Sequence, residues 1–269
     1  MKISKMFASP EELRAAIRSG AFTGQTAGQA AGYVQTNLVI LPAEYAEEFA
    51  EFCRLNDRPC PLVARTLPGD PCPDDVAAHA DLRTDVPRYR VFRGGVADRA
   101  EPTEIADLWR DDFVAFLLGC SFTFESALVA AGLGVRHIDE ARNVPMFRTN
   151  RPCAAAGRFA GPLVVSMRPY RREQIDDVVR ITGEFPRMHG GPVHVGDPAA
   201  LGIADVRTPD FGESVTIRDD EIPVFWACGV TPQLALLAAK PEIAITHSPG
   251  HMFVTDLKDE LFRQPQDAG

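Results

Sequence analysis

Four of the six histidines, His189, His194, His247 and His251, lie in two short strings. These are FPRMHGGPVHVGDP (Phe185 to Pro198) and ITHSPGHMFVTD (Ile245 to Asp256). Imidazole titrates near neutrality, so such a cluster suits proton transfer or metal ligation. His189, His194 and Asp197 place two imidazoles and a carboxylate within nine residues, a set for an acid–base pair or a divalent metal. His247 and His251 repeat the theme, but the Ser-Pro-Gly between them breaks the helix that a paired-histidine zinc motif requires. Loops rich in Gly and Pro gain little from core packing, so this backbone reads as shaped around a ligand. Titratable groups gathered on rigid turns favour an active site over simple binding.

A third string, PVFWACGVTPQ (Pro223 to Gln233), follows an apolar run and opens a helix, with Thr231 as N-cap, Pro232 as first helical residue and Gln233 beside them. Free N–H groups at such a start attract a carboxylate or phosphate; an ordinary capped turn would look the same. GCSFTFE (Gly119 to Glu125) reads as two helices joined through Gly119, with Cys120 near a helix start that favours thiolate and Glu125 as a second carboxyl. A buried inert thiol beside a solvated Glu125 fits the same residues. Arg148, flanked by Thr149 and Asn150, and Arg168, in SMRP, each offer a fork that could grip a carboxylate; a surface arginine is the alternative for each. GLGVRH (Gly132 to His137) lacks the third glycine and the preceding strand of a dinucleotide fingerprint, and neither a P-loop nor a GxSxG elbow is present.

The elements expected to hold these residues alternate between strand and helix. Ser9-Pro10-Glu11-Glu12 opens a first helix, and Gly20 closes it. Gly20, Gly24, Gly28 and Gly32 recur every four residues, as the bare face of a helix or as a ligand-facing loop. Strands are expected at Leu38–Leu41, Pro61–Thr66, Tyr89–Phe92, Leu163–Ser166, Val215–Ile217, Val224–Ala227 and Ile243–Thr246. Helices are expected at Ala43–Leu55, Glu104–Leu118, Phe124–Ala131, Arg172–Gly183 and Pro232–Ala239. Pro68–Asp85 reads as a long surface loop and residues 264–269 as a frayed end. The alternation predicts an α/β fold with a mixed or mostly parallel sheet flanked by helices, as one unit over residues 1–269. A smaller α+β subdomain inserted near residues 138–218 fits the same pattern.

The 269 residues are 45% hydrophobic and 24% charged, enough for a full globular core. A net charge of −9, with no basic stripe interleaved with aromatics, argues against nucleic acid. No apolar run is long enough to span a bilayer, and the first residues lack a signal-peptide core, so a cytoplasmic protein without a membrane partner is expected. Six scattered cysteines without a CxxC pair read as reduced thiols. The sequence leaves association of identical copies open.

Seven strings taken together resemble the D-glutamate cyclase-like family of hydro-lyases. They are GYVQTNLVILP (Gly32 to Pro42), GCSFTFE, NVPMFRTN (Asn143 to Asn150), GPLVVSMRP (Gly161 to Pro169), HGGPVHVGDP, PVFWACGVTPQ and ITHSPGHMFVTD. The resemblance implies an α/β lyase acting on a small carboxylic acid, with closure of D-glutamate to 5-oxo-D-proline and loss of water as the reaction at its most specific. Our own reading of the residues assigns His189, His194, His247, Asp197, Cys120 and Glu125 to catalysis. It assigns Arg148, Asn150, Arg168, Thr231, Gln233 and His251 to substrate binding, with a histidine near pKa ~6.5 matched to proton transfer. No cofactor is firmly implied, and a divalent metal at the His/Asp cluster stays open. A metal-dependent hydrolase or isomerase, or a carboxylate-binding protein without catalysis, are the competing readings. If one cleft does the chemistry, Cys120, Arg148, His194, Thr231 and His247 line it together.

Overall fold

The computed structural model describes residues 6–264. The chain opens as expected: Ser9 Oγ accepts from the Glu12 N–H at 3.2 Å and Pro10 begins helix α1 (Pro10–Arg18). Residues 20–32 then form a loop rather than a helix, with Gly28 and Gly32 both at positive φ. Strand β1 (Tyr33–Pro42) is buried almost throughout and leads into α2 (Ala43–Leu55). After it come β2 (Leu62–Arg65), β3 (Tyr89–Arg93) and β4 (Val96–Ala97), with Pro68–Asp85 irregular as expected.

The expected helix over Glu104–Leu118 is absent. Only a single 3-10 turn forms at Ala106–Leu108, and residues Phe113–Gly119 are strand β5. The reason lies in FVAFLLG, which is apolar at every position and so carries no helical face. Phe113, Ala115 and Leu117 pack into one core while Val114, Phe116 and Leu118 pack into the other. That period of two belongs to a strand buried on both faces. The later elements are α3 (Phe122–Ala130), α4 (Arg136–Asp139), β6 (Met146–Pro152), β7 (Pro162–Arg171), α5 (Ile175–Gly183), β8 (His194–Val195), β9 (Glu221–Ala227), α6 (Thr231–Ala239), β10 (Ile243–His247) and β11 (Phe253–Lys258). The strand expected at Val215–Ile217 does not form. There the Thr216 N–H bonds the Glu140 carboxylate and Arg136 binds the Thr216 carbonyl, so side chains take the backbone groups a ladder would use.

Two sheets result. The larger runs β2-β5-β1-β10-β3-β4 with β11 also on β1; the smaller runs β6-β7-β9-β8 over residues 146–227. The class is α/β, but every strand pair within the sheets is antiparallel, which corrects the expectation of a mixed or mostly parallel sheet. The crossover β1–α2–β2 does set its strands in the same direction. They are not neighbours, however, because β5 inserts between them and pairs antiparallel with both. A strand–helix–strand rhythm fixes direction along the chain, not adjacency in the sheet.

One interruption matters for function. β10 pairs with Val39 and Ile40 of β1, and β11 resumes on the same strand at Thr36 and Gln35. Residues 248–252 leave the ladder between them, opening a gap opposite Asn37 and Leu38.

Candidate functional site

The chemistry-bearing residues that meet do so at that gap. A recess of about 40 Å³ is lined by Asn37, Cys120, Ser121, Ser166, His189 and His247, with Phe122, Asn143, Val144, Met146, Cys228–Val230, Pro249, Gly250 and Met252 completing its walls. Two larger hollows, of about 370 and 420 Å³, contain no histidine. We take the small recess as the site because it brings two buried histidines together with two serine hydroxyls and two cysteines.

Two similar corners form its wall. β5 ends in Gly119-Cys120 and turns into α3; β9 ends in Ala227-Cys228 and turns into α6. Cys120 therefore joins a strand to a helix, not two helices. Neither helix has a side-chain N-cap; the Thr123 N–H lies 3.4 Å from the Cys120 carbonyl, and the Thr231 and Gln233 N–H groups bond the Cys228 and Val230 carbonyls at 3.0 Å. Burial pushes the Cys120 thiol up to about 12 and the Cys228 thiol up to about 11, although backbone hydrogen bonds from Phe122 and Val230 oppose it. Desolvation outweighs the helix start, so the expected thiolate at Cys120 is replaced by a neutral thiol. Gly229 is glycine because a Cβ there would run into the Asn37 amide. That amide donates to the Gly119 carbonyl at 2.8 Å and so ties the first corner to β1.

The two histidines are both neutral and are held in opposite tautomers. Burial lowers each to about 4, which removes the expected match to a base near neutrality. His189, in a left-handed conformation at φ 75°, lies with Nδ1 2.7 Å from the Arg58 carbonyl. A carbonyl only accepts, so Nδ1 carries the proton and Nε2 keeps a bare lone pair. His247 Nδ1 instead accepts the Leu38 N–H at 3.1 Å, filling the ladder position vacated by the strand break. The Leu38 carbonyl is also 3.4 Å from this nitrogen, but an N–H can only donate, so the shorter contact decides. His247 therefore carries its proton on Nε2.

Behind the recess lies a buried charge pair. Arg168, 1% exposed, binds the Glu125 carboxylate through Nε at 3.0 Å and through a terminal nitrogen as well. Burial alone would raise the Glu125 carboxyl, but Arg168 and then His137 overcome it and hold the group down at about 2. The remaining guanidinium N–H groups donate to Ser121 Oγ at 2.9 Å and Ser166 Oγ at 3.0 Å. Since arginine only donates, each serine keeps its own proton to offer the recess. Phe124 and Trp226 pack about the guanidinium with ring centroids 5.3 and 5.2 Å away. Arg168 and Glu125 are thus orienting groups, and Arg168 is not free to fork onto a substrate.

Of the five residues expected in one cleft, Cys120 and His247 line the recess, and Arg148, His194 and Thr231 do not. Arg148 is exposed, 4.0 Å from Asp210 and over the Phe211 ring, and Asn150 is exposed on the same strand. His194 Nε2 lies 2.7 Å from the Asp197 carbonyl, while the Asp197 carboxylate caps the Ala199 N–H at 2.9 Å. Thr231 Oγ accepts from the Val164 N–H at 3.0 Å, fastening α6 to β7; the N-cap position belongs to Val230. Gln233 is buried outside the recess, and His251 bonds the Pro249 carbonyl through Nδ1. The sequence reading gives no site role to Asn37, Ser121, Asn143 or Ser166. Asn37, a polar residue inside the apolar run YVQTNLVILP, was the available signal. Among the described residues no group of three or more His, Cys, Asp or Glu side chains is placed to hold a metal ion. No helix among them is long and apolar enough to cross a membrane.

These corners and loops fall within a matching stretch of known proteins. Residues 114–256 match the family described as D-glutamate cyclase, and the chain belongs to that family. Its relatives include a Bacillus licheniformis protein 58% identical over 254 residues, covering 94% of this chain and 96% of the relative. A Rubrobacter xylanophilus protein is 59% identical over 92% of this chain and 95% of its own length. The Bacillus subtilis YcsI protein is 51% identical over 94% and 98%. All three are named, provisionally, as hydro-lyases.

Proposed function

We propose that the recess eliminates water from a small carboxylic acid, with D-glutamate closing to 5-oxo-D-proline as the first reaction to test. The observation that carries this reading is the pair of neutral histidines in opposite tautomers beside two helix starts. The positive dipole ends of α3 and α6, whose starts line the recess, favour a carboxylate there without a charged side chain. The substrate reacts as the free amine and the γ-carboxylic acid, one proton having passed from its ammonium to its γ-carboxylate; His189 Nε2 then takes a proton from the amine as its nitrogen attacks the γ-carboxyl carbon, and gives it to the hydroxyl that departs as water. A C–N bond forms, a C–O bond breaks, and the histidine ends as it began. The His247 Nε2–H and the Ser121 and Ser166 hydroxyls supply hydrogen bonds to the oxyanion formed between those steps. An anion in the recess would also raise the His189 pKa from about 4 toward the range where a base is effective. The names of the relatives support the hydro-lyase class. Incubating the protein with D-glutamate, with L-glutamate as control, and following 5-oxoproline by chiral chromatography tests the reading. Loss of product in His189→Gln supports it; equal product with that variant overturns the assignment.

A further inference from the structure

We infer that Asn37 holds the substrate's amine, its Oδ1 accepting the N–H that survives in the product while His189 Nε2 accepts the one that leaves. The inference rests on the ring closure proposed for the recess and names the residue that orients its nucleophile.

Asn37 interrupts a buried strand with a polar side chain. The period of two sets it on the same face of β1 as Val39 and Leu41, which pack in the core, yet it is itself 5% exposed and lines the recess. Two sides of its amide are already engaged. Nδ2 donates to the Gly119 carbonyl at 2.8 Å, which fixes the edge that carries nitrogen. The flat face lies against Gly229, where an added Cβ would meet Nδ2, Cγ and Oδ1 alike. The Oδ1 edge is left, and no described residue donates to it. A buried amide oxygen without a donor costs stability, and an arriving N–H removes that cost.

Fixed acceptors are scarce in the recess. The His247 Nε2–H and the Ser121 and Ser166 hydroxyls offer donors. The Cys120 and Cys228 carbonyls are taken up by the Thr123 and Thr231 N–H groups. The half-buried Asn143 amide has neither end fixed. His189 Nε2 and Asn37 Oδ1 are the two acceptors whose role is set by the bond at the other end of the group. A neutral amine carries two N–H bonds and one lone pair. With both N–H groups on these acceptors, the lone pair is turned to the γ-carboxyl carbon. As the C–N bond forms, one proton passes to His189 Nε2, and the other stays on Asn37 as the lactam N–H. A 2-hydroxy acid has a single O–H and a plain dicarboxylic acid has none, so each leaves an acceptor without a donor.

Calorimetry on the whole protein with D-glutamate, D-2-hydroxyglutarate and glutarate tests this. The wild type should bind D-glutamate roughly tenfold or more tighter than the hydroxy acid, with glutarate weakest. Asn37→Leu and Asn37→Asp both lose the donor to Gly119, but Asp keeps an oxygen toward the recess. The preference for D-glutamate over glutarate should fall roughly tenfold or more in Asn37→Leu and persist in Asn37→Asp. Equal binding of D-glutamate and glutarate by the wild type overturns the inference without any variant. A preference that Asn37→Leu keeps, or that Asn37→Asp loses as fully, overturns it too. Wild-type protein that shows the preference yet forms no 5-oxoproline supports Asn37 as the amine's seat and overturns the ring closure instead.

Discussion

His189 and His194 stand five residues apart in one string, as His247 and His251 stand four apart in another, and in both the first residue enters the recess while the second stays outside. The difference lies in what the backbone nearby has left unpaired. His189 turns inward through a left-handed residue and finds the Arg58 carbonyl; His247 ends a strand and takes an N–H that β1 would otherwise give to a sheet partner. His194 and His251 bond carbonyls only three and two residues away in their own loops, so they hold those loops in shape. A long-range tie to a backbone group, more than proximity in sequence, separates the two histidines that the proposed reaction uses from the two that it does not.

The largest effect expected from this contrast is on rate. His189→Ala or His247→Ala should each lower kcat/KM for water loss by roughly 10²-fold or more. His247→Ala should also lower the melting temperature, because it leaves the Leu38 N–H buried without a partner. If both variants keep near-normal rates, the inward histidines are structural and the contrast has no catalytic meaning.

Next in size is the dependence of stability on pH. Both inward histidines titrate near 4 in the folded protein, below their ordinary value of about 6.5. Unfolding releases imidazoles that take up protons first, so stability is full above pH 6.5 and falls as pH drops toward 4. Each histidine contributes about 3 kcal/mol to that loss. Urea midpoints measured from pH 7 to pH 4 should fall accordingly, and less steeply in His189→Gln. A flat profile would show that these rings are not held neutral.

The smallest effect sharpens the comparison from the other side. His194→Ala and His251→Ala should change kcat/KM by less than about threefold, since each loses only one local hydrogen bond. A drop as large as that of the inward pair would bring the outer histidines back into the reaction.

The same contrast explains what the sequence made legible. Periodicity located β1, α2, β7, β9, α6 and β10, because their apolar patterns and flanking Pro and Gly are local signals. It failed at β5, where FVAFLLG is apolar on both faces and gives no period to read from composition alone. The histidine strings were visible as chemistry, but which ring turns inward depends on Arg58 and Leu38, far away in sequence. Arg168 looked like a substrate anchor because forks that hold a ligand and forks that hold a buried carboxylate have the same residue type. Only the position of Glu125 on the neighbouring helix start distinguishes them.

The interleaved order of the large sheet sets a timetable for the ribosome. β1 is made early, yet β10 and β11, which cover one of its edges, are the last strands among the described residues. The Leu38–His247 bond spans 209 residues, so loop-closure entropy must be met before the recess can exist. A nascent chain that has reached α6 holds both cysteine corners but leaves a bare edge on its central strand, a surface on which other unfinished chains can pair. Dependence on chaperones should therefore concentrate in the interval before the last strands emerge.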